Sequence, residues 1–268
     1  MNRLVFVALL LSTFSSLNVA AQDVPISVTA EIRRDPKAIL MLRQSLDALG
    51  GAGQWGQINC ATIDGTVATS KDHDPSPIRI EYRWKDLSLQ SRHEFTSGHS
   101  KVVRYADPNK GASISTGGKL EDLTGKARIA DLPDKLPSAA FTIALGKAEY
   151  SITMLMPTQL EPRVGVKLLH YEKGHPVPSS EQDWYFSDTT SLPDHAVTYL
   201  RDMLHNGRLL RSRLRFVSYM DDGPVKVPST LEETSFFGNV KGIVFQSVIL
   251  NASQSQSDFS PSAEGGQQ

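Results

Sequence analysis

From Ile78 to Lys85 the chain alternates apolar and charged residues without a break. Ile78, Ile80, Tyr82 and Trp84 interleave with Arg79, Glu81, Arg83 and Lys85. A period of two is that of a strand with one dry face and one wet face. Such a strand needs neighbours and a cover, because fully burying a side chain such as Tyr82 or Trp84 contributes roughly 1.5–3 kcal/mol. Strand-like runs recur along most of the chain. Ile63, Gly65 and Val67 alternate with polar residues, and residues 87–95, 101–105 and 111–115 form further short runs. After residue 148 the rhythm resumes at 149–156, 165–172, 182–187, 195–203, 208–220, 231–237 and 243–251. Turns between the early runs carry the usual chain-reversing residues, in Asp72-His73-Asp74-Pro75, Ser97-Gly98-His99 and Asp107-Pro108-Asn109. The spacing predicts about eleven antiparallel strands.

Only two stretches read as helix. Asp35-Pro36 opens the first: the aspartate can accept the free N–H groups of the first turn, and proline suits the first helical position. Ile39, Leu42, Leu46 and Leu49 then line one face, and Gly50-Gly51 ends the helix. The second lies in residues 119–146, which break the strand rhythm. Pro137 opens a short helix there and Gly146 closes it. An open flat sheet of about eleven strands would expose a large apolar face, so it must curl, close or be covered. The expected fold is mainly β: a curved antiparallel half-barrel with an N-terminal helix and a short mid-chain helix on the concave side. Residues 132–145 are expected to form that cover, with Leu132, Leu136, Phe141 and Leu145 as apolar anchors. A fully closed barrel with helices plugging its ends is the alternative.

The chain's two ends stand apart from this pattern. Arg3 is followed by an apolar run, Leu4-Val5-Phe6-Val7-Ala8-Leu9-Leu10-Leu11, and then by polar and small residues ending Val19-Ala20-Ala21. That order is the pattern of a cleavable secretory signal. Ser12, Thr13, Ser15 and Ser16 interrupt the run too soon for a span, which needs roughly 20 apolar residues. Residues 1–21 are therefore expected to be removed, leaving a periplasmic or secreted protein that starts at Gln22 and does not span a membrane. Cysteine is absent near the cleavage point, which argues against a lipid-anchored start. Residues 22–34 read as a flexible lead-in, 35–251 as one β-rich domain, and the Ser-, Gln- and Gly-rich residues 252–268 as a disordered tail.

Composition narrows the function classes. The 268 residues carry 28 Lys+Arg against 29 Asp+Glu, a formal net charge of −1, which lacks the basic excess a general nucleic-acid binder needs. The single cysteine, Cys60, allows no intrachain disulfide and no multi-cysteine zinc site, and its place beside Ala61 at the first strand suits a core thiol.

At three places the chain resembles the lipoprotein carriers of the bacterial envelope, the LolA/LolB-like half-barrels. One is the opening helix ending Ala48-Leu49-Gly50-Gly51, followed by a strand with Ile63-Asp64-Gly65. Another is Trp184-Tyr185-Phe186-Ser187-Asp188-Thr189-Thr190-Ser191-Leu192-Pro193, an aromatic strand running into a Thr-x-Leu-Pro turn. The third is the closing order of Val227-Pro228, a strand, Gly238-Asn239 and a last strand to Asn251. Together these span most of residues 35–251. The chain departs from the carriers in its longer middle and its lack of a lipid-attachment cysteine. The resemblance implies a half-barrel and an envelope location; transport it implies less directly, since one fold hosts many functions.

No constellation identifies a reaction. The histidines are His73, His93, His99, His170, His175, His195 and His205, and no His-Glu-x-x-His run joins any of them. Asp72-His73-Asp74 can touch a cation, but Pro75 makes it a surface turn. Neither a Gly-x-Ser-x-Gly elbow nor a Gly-rich phosphate loop occurs. Asp188 and Thr190 read as turn formers, with Asp188 bonding backbone two residues on. Catalytic residues, metal ligands and cofactors are thus expected to be absent. What remains is a concave apolar surface, to which Ile80, Tyr82, Trp84, Tyr105, Phe141, Ile152 and Met154 are assigned as ligand-binding candidates. Arg211, Arg213 and Arg215, two apart on a strand, share one face, either as a solvated surface or as a contact for an anionic group. Two functions fit: a non-enzymatic envelope protein holding an acyl chain or other hydrophobic molecule, or a scaffold with a filled core that binds an envelope protein.

Overall fold

In the computed structural model every strand-to-strand pairing is antiparallel. It describes residues 31–69, 74–84, 88–97, 100–107, 111–122, 132–202, 208–235, 238–254 and 259. The expected signal segment, the turns at residues 72–73, 98–99 and 108–109, and most of the expected tail lie outside the described residues.

The strands are β1 (Cys60–Thr69), β2 (Ser76–Arg83), β3 (Gln90–Ser97), β4 (Ser100–Asp107), β5 (Gly111–Thr116), β6 (Lys119–Asp122) and β7 (Tyr150–Leu155). They continue with β8 (Gly165–Glu172), β9 (His175–Pro176), β10 (Gln182–Phe186), β11 (Pro193–Asp202), β12 (Arg208–Asp222), β13 (Val225–Thr234) and β14 (Val240–Leu250). One sheet runs β6-β5-β4-β3-β2-β1-β14-β13-β12-β11-β10-β8-β7, with β9 on β8 alone. The outermost strands, β6 and β7, do not pair with each other, so the sheet is open, and the closed-barrel alternative is excluded. Fourteen described strands exceed the expected eleven. The largest surprise is β6, which falls where the strand rhythm was expected to break; its Lys-Leu-Glu-Asp sequence carries no apolar period.

Among the described residues three α-helices sit against this sheet: α1 (Pro36–Ala48), α2 (Ala52–Trp55) and α3 (Pro137–Gly146). α1 starts as expected: the Asp35 side chain accepts from the Lys37 N–H at 2.8 Å, satisfying one of the free donors of the first turn. Its inward stripe is Ala38, Leu42, Ser45 and Leu46, continued by Leu49. α2 was not expected; its Trp55 is fully buried and donates from Nε1 to the Leu49 carbonyl at 2.9 Å, locking the turn between the helices. The core is shared by these helices and the dry face of the sheet. Ile80, Tyr82 and Trp84 are buried in it, and Ile78 packs against it. On the wet face Glu81 is buried beneath Arg79 and Arg92, at 3.1 and 2.9 Å.

Two glycines are required by close approach. Gly50 has φ +117°, and a Cβ there would lie 2.7 Å from the Pro224 carbonyl, where the end of α1 meets the β12–β13 turn. At Gly65 the pairing with β14 shifts register, and a Cβ would fall 2.2 Å from the Val244 carbonyl oxygen. Backbone cannot yield as a side chain can. Gly65→Ala is expected to lower stability by about 1–3 kcal/mol, read as a lower urea midpoint with the slope unchanged.

The ends of the domain are more structured than composition indicates. In the expected lead-in, Arg34 bridges Ile152 in parallel; Ile152 N–H donates to the Arg33 carbonyl at 2.7 Å, covering part of the β7 edge. In the expected tail, Gln254 Nε2 donates to Thr62 Oγ1 at 2.9 Å and Phe259 is buried. Cys60 is half-buried rather than core: its thiol faces the Ala252 carbonyl at 3.2 Å, and burial raises its pKa, which disfavours the thiolate.

Candidate functional site

The concave face is built row by row from the pairing register. Ile80 lies opposite Ile63 on one side and His93 on the other; Trp184 lies between Val166 and Ala196. α3 packs against this wall. Its sequence, Pro-Ser-Ala-Ala-Phe-Thr-Ile-Ala-Leu-Gly, has no charged residue and only Ser138 and Thr142 as polar side chains, and it packs between aromatic residues of the sheet and α1 and α2. Phe141 is 0% exposed and meets Trp184 edge-on at 4.8 Å and Phe186 at 6.0 Å. Trp184 in turn stacks on Phe216 at 5.8 Å.

Polar groups hold this cover at both ends. At its C-terminus Arg34 reaches across to the helix: Nη2 donates to the Leu145 carbonyl at 2.9 Å, and Nη1 to those of Ala144, Lys147 and Tyr150 at 3.3, 2.8 and 3.2 Å. The last carbonyls of a helix have no internal partner, and a cation there also opposes the helix dipole. At the other end no side chain caps the helix. The preceding segment is tied instead: Gln182 Nε2 donates to the Leu132 carbonyl at 3.3 Å, and Tyr82 Oη to Asp134 Oδ1 at 3.4 Å. Lys135, only 8% exposed, pairs with Asp134 at 2.8 Å.

Burial first, and this ion pair second, shift the titration of the neighbouring groups. Burial pushes the Asp134 carboxyl up, but the adjacent Lys135 ammonium, helped by His93 and a backbone hydrogen bond, offsets it and the carboxyl ends below its ordinary value. Burial likewise works against the Lys135 charge, yet Asp134 and then Glu233 carry its pKa above the ordinary value. Tyr82 is pushed up by burial and by Asp134. His93, edge-on to Tyr82 at 5.5 Å, is lowered to about 4 by burial and then by Lys135. Between that value and an ordinary 6.5 the unfolded chain binds the proton and the folded chain does not, so stability falls as pH drops through this window. Moving from pH 7 to pH 5 is expected to cost about 2 kcal/mol through His93. Urea melts of wild type and His93→Gln at both pH values check this: the variant's pH loss should be smaller by that amount.

The structure gathers most of the candidate ligand-binding residues and separates one. Ile80, Tyr82, Trp84, Phe141 and Ile152 belong to one buried cluster, with Met154 half-buried against it. Tyr105 is on the other side of the sheet. It pairs with Arg92, which pairs with Glu81 on the wet face, while His93 and Arg104 share the row of Ile80. Arg211, Arg213 and Arg215 are exposed together on the convex face, opposite the buried Leu214 and Phe216. Two of them meet carboxylates there: Arg213 approaches Glu161 at 3.7 Å and Arg215 meets Glu232 at 3.2 Å. The Asp188 turn forms, but Ser187 and Thr190 build it: the Thr190 N–H donates to Ser187 Oγ and the Leu192 N–H to Thr190 Oγ1, both at 3.3 Å.

Several groups had no sequence signal. His195, 1% exposed on the convex face, has Nε2 at 3.0 Å from Glu161 and Nδ1 at 2.8 Å from Asp194; Arg163 bonds both carboxylates, and Tyr185 stacks on the ring at 4.5 Å. Burial lowers the His195 pKa against the pull of Asp194. With its nitrogens held by charged partners, the ring fastens residues 161–163 to the sheet rather than activating a hydroxyl. That loop exposes Met156 and Leu160, the latter 85% accessible. Beside it a cleft of about 370 Å3 opens between α1 and the β10–β11 turn, lined by Met41, Gln44, Arg163, Phe186, Ser187 and Asp188 among others. Phe186 thus joins the cleft to Phe141 of the cover. Among the described residues no group of three or more His, Cys, Asp and Glu is placed to hold a metal.

By sequence the chain matches no family model and no curated protein. By structure it matches a domain from Vibrio parahaemolyticus described as an outer-membrane lipoprotein-sorting domain, over 84% of this chain and 96% of that one, with a TM-score of 0.50 and 10% identity. The chain shares the open, curved-sheet fold of that domain. A DUF1329 family protein from Desulfovibrio piger shares it, over 84% of this chain and 98% of that one, with a TM-score of 0.52 and 13% identity. A LolA superfamily protein from Nitrosomonas europaea aligns more loosely, over 84% and 97%, with a TM-score of 0.40 and 13% identity. At these identities the likeness is one of fold. No helix among the described residues is long and apolar enough to cross a membrane.

Proposed function

We propose that this is an exported envelope protein that holds an acyl chain or similar hydrophobic ligand against the concave face, with α3 as a cover that yields to admit it. The observation that carries the reading is the cover itself. α3 is mostly apolar, with Ser138 and Thr142 as its only polar side chains, and its described polar ties to the rest of the fold lie at its two ends. Lifting such a helix releases a few hydrogen bonds and exposes its apolar surface, a cost that an acyl chain taking its place would offset; the wall uncovered includes Trp184, Phe186 and β7, in the buried cluster that also holds Ile80, Tyr82, Trp84 and Ile152. The fold shared with a lipoprotein-sorting domain supports the same kind of function. Export rests on the signal-like residues 1–21.

The competing reading, a scaffold that binds an envelope protein, is favoured by the completeness of the packing, since Phe141, Ile80 and Ile152 are all 0% exposed. Purification of the exported protein followed by mass spectrometry of its organic extract separates the two. A stoichiometric lipid supports the carrier; a clean extract together with no uptake of added fatty acid supports the scaffold. N-terminal sequencing of the same sample should begin at Gln22; retention of Met1 would contradict export by cleavage.

A further inference from the structure

The concave face is not uniformly apolar. Along the β2–β5 half, Ile78, Ile80, Phe95, Val102 and Ile114 form an apolar strip. Arg104 stands in the same strip, in the row His93–Arg104–Ile114, with its guanidinium carbon 5.2 Å from the centre of the Phe95 ring. Arg104 is exposed, and among the described residues no carboxylate lies within ion-pair distance of it. A guanidinium held over an aromatic ring keeps its N–H fork free for a planar anion. Lys135 lies close enough for the two charges to act on each other. Asp134 offsets Lys135, and Glu233 is faced by Lys241 directly across the strand pair. Glu121 lies on the same face two strands away, at roughly 9–10 Å by strand spacing. With Glu121 counted the charges on this face cancel, and what marks Arg104 out is its geometry: an exposed guanidinium over Phe95 with no ion-pair partner among the described residues.

We infer that this strip binds the anionic headgroup of a single-chain amphiphile, with the carboxylate on Arg104 and the chain lying over Phe95, Ile78 and Ile80. The inference rests on the carrier reading and names its ligand class. Within it Arg104 is the residue that selects charge, while the apolar wall supplies affinity that is blind to charge.

The test compares cis-parinaric acid with its methyl ester by fluorescence titration at pH 7.5, using the full mature chain. Wild type is expected to prefer the acid by about tenfold, the value of one charge-assisted hydrogen-bond pair. Arg104→Gln should bring the acid-to-ester ratio close to one, and Arg104→Glu should invert it. Arg104 is exposed, so both variants should melt like wild type, which circular dichroism verifies. Equal binding of acid and ester by wild type, or a preference unchanged in both variants, overturns the headgroup site and leaves the carrier reading standing. Failure of both probes to bind overturns the two together. Displacement of the acid by millimolar inorganic phosphate alone would mark a site for free anions and also overturn the inference.

Discussion

Phe141→Ala should unfold at a markedly lower denaturant concentration than wild type, at a cost of about 3–5 kcal/mol. The magnitude follows from position. Phe141 is fully buried, packs edge-on against Trp184 and also touches Phe186, so its removal empties the contact between cover and wall. Neighbouring residues on α3 are too small to refill that space: Ala139, Ala140 and Ala144 flank it. The same cavity lies beneath the cover and beside the cleft lined by Phe186, so the variant should also take up more fluorescent fatty acid than wild type. Wild-type stability with unchanged uptake would show that α3 is not the cover. Lost stability with unchanged uptake would favour the filled scaffold.

Arg34→Ala is expected to cost about 2–4 kcal/mol. Hydrogen bonds to a charged group are worth about 1.5–3 kcal/mol each, but four from one guanidinium are not additive. The loss should be concentrated locally: amide exchange at the end of α3 should accelerate far more than in β1 or β14. Arg34→Lys should recover little, because an ammonium cannot span the carbonyls of Ala144, Leu145, Lys147 and Tyr150 with a planar fork. A uniform rise in exchange across the sheet would contradict a local role for Arg34.

Local rules reached the parts of this fold whose signal is local. The alternation through Ile80, Tyr82 and Trp84 placed those side chains correctly because the strand is dry on one face only. Asp35-Pro36 and Gly50 bounded α1 because caps depend on near neighbours. Tyr105 went to the wrong face because Val102 and Val103 are both buried, so β4 has no clean period from which to take its parity. β6 is too short and too charged to show one. Phe259 is an apolar anchor in a stretch whose composition reads as solvated. The ties that hold the cover, Arg34 to α3 and Tyr82 to Asp134, join residues 110 and 52 apart, and no spacing rule reports such pairs. The same is true of His195 and Glu161, which meet only because the β7–β8 loop folds over the sheet.

Photolabelling with a diazirine-bearing fatty acid, followed by peptide mapping, tests most directly whether the concave face under α3 receives an acyl chain. Labels are expected on peptides containing Ile80 to Trp84, Phe141 and Ile152, with competition by unlabelled fatty acid and with heavier labelling in Phe141→Ala. Labels confined to the convex face around Arg211 to Arg215, or none above a heat-denatured control, would contradict the carrier reading.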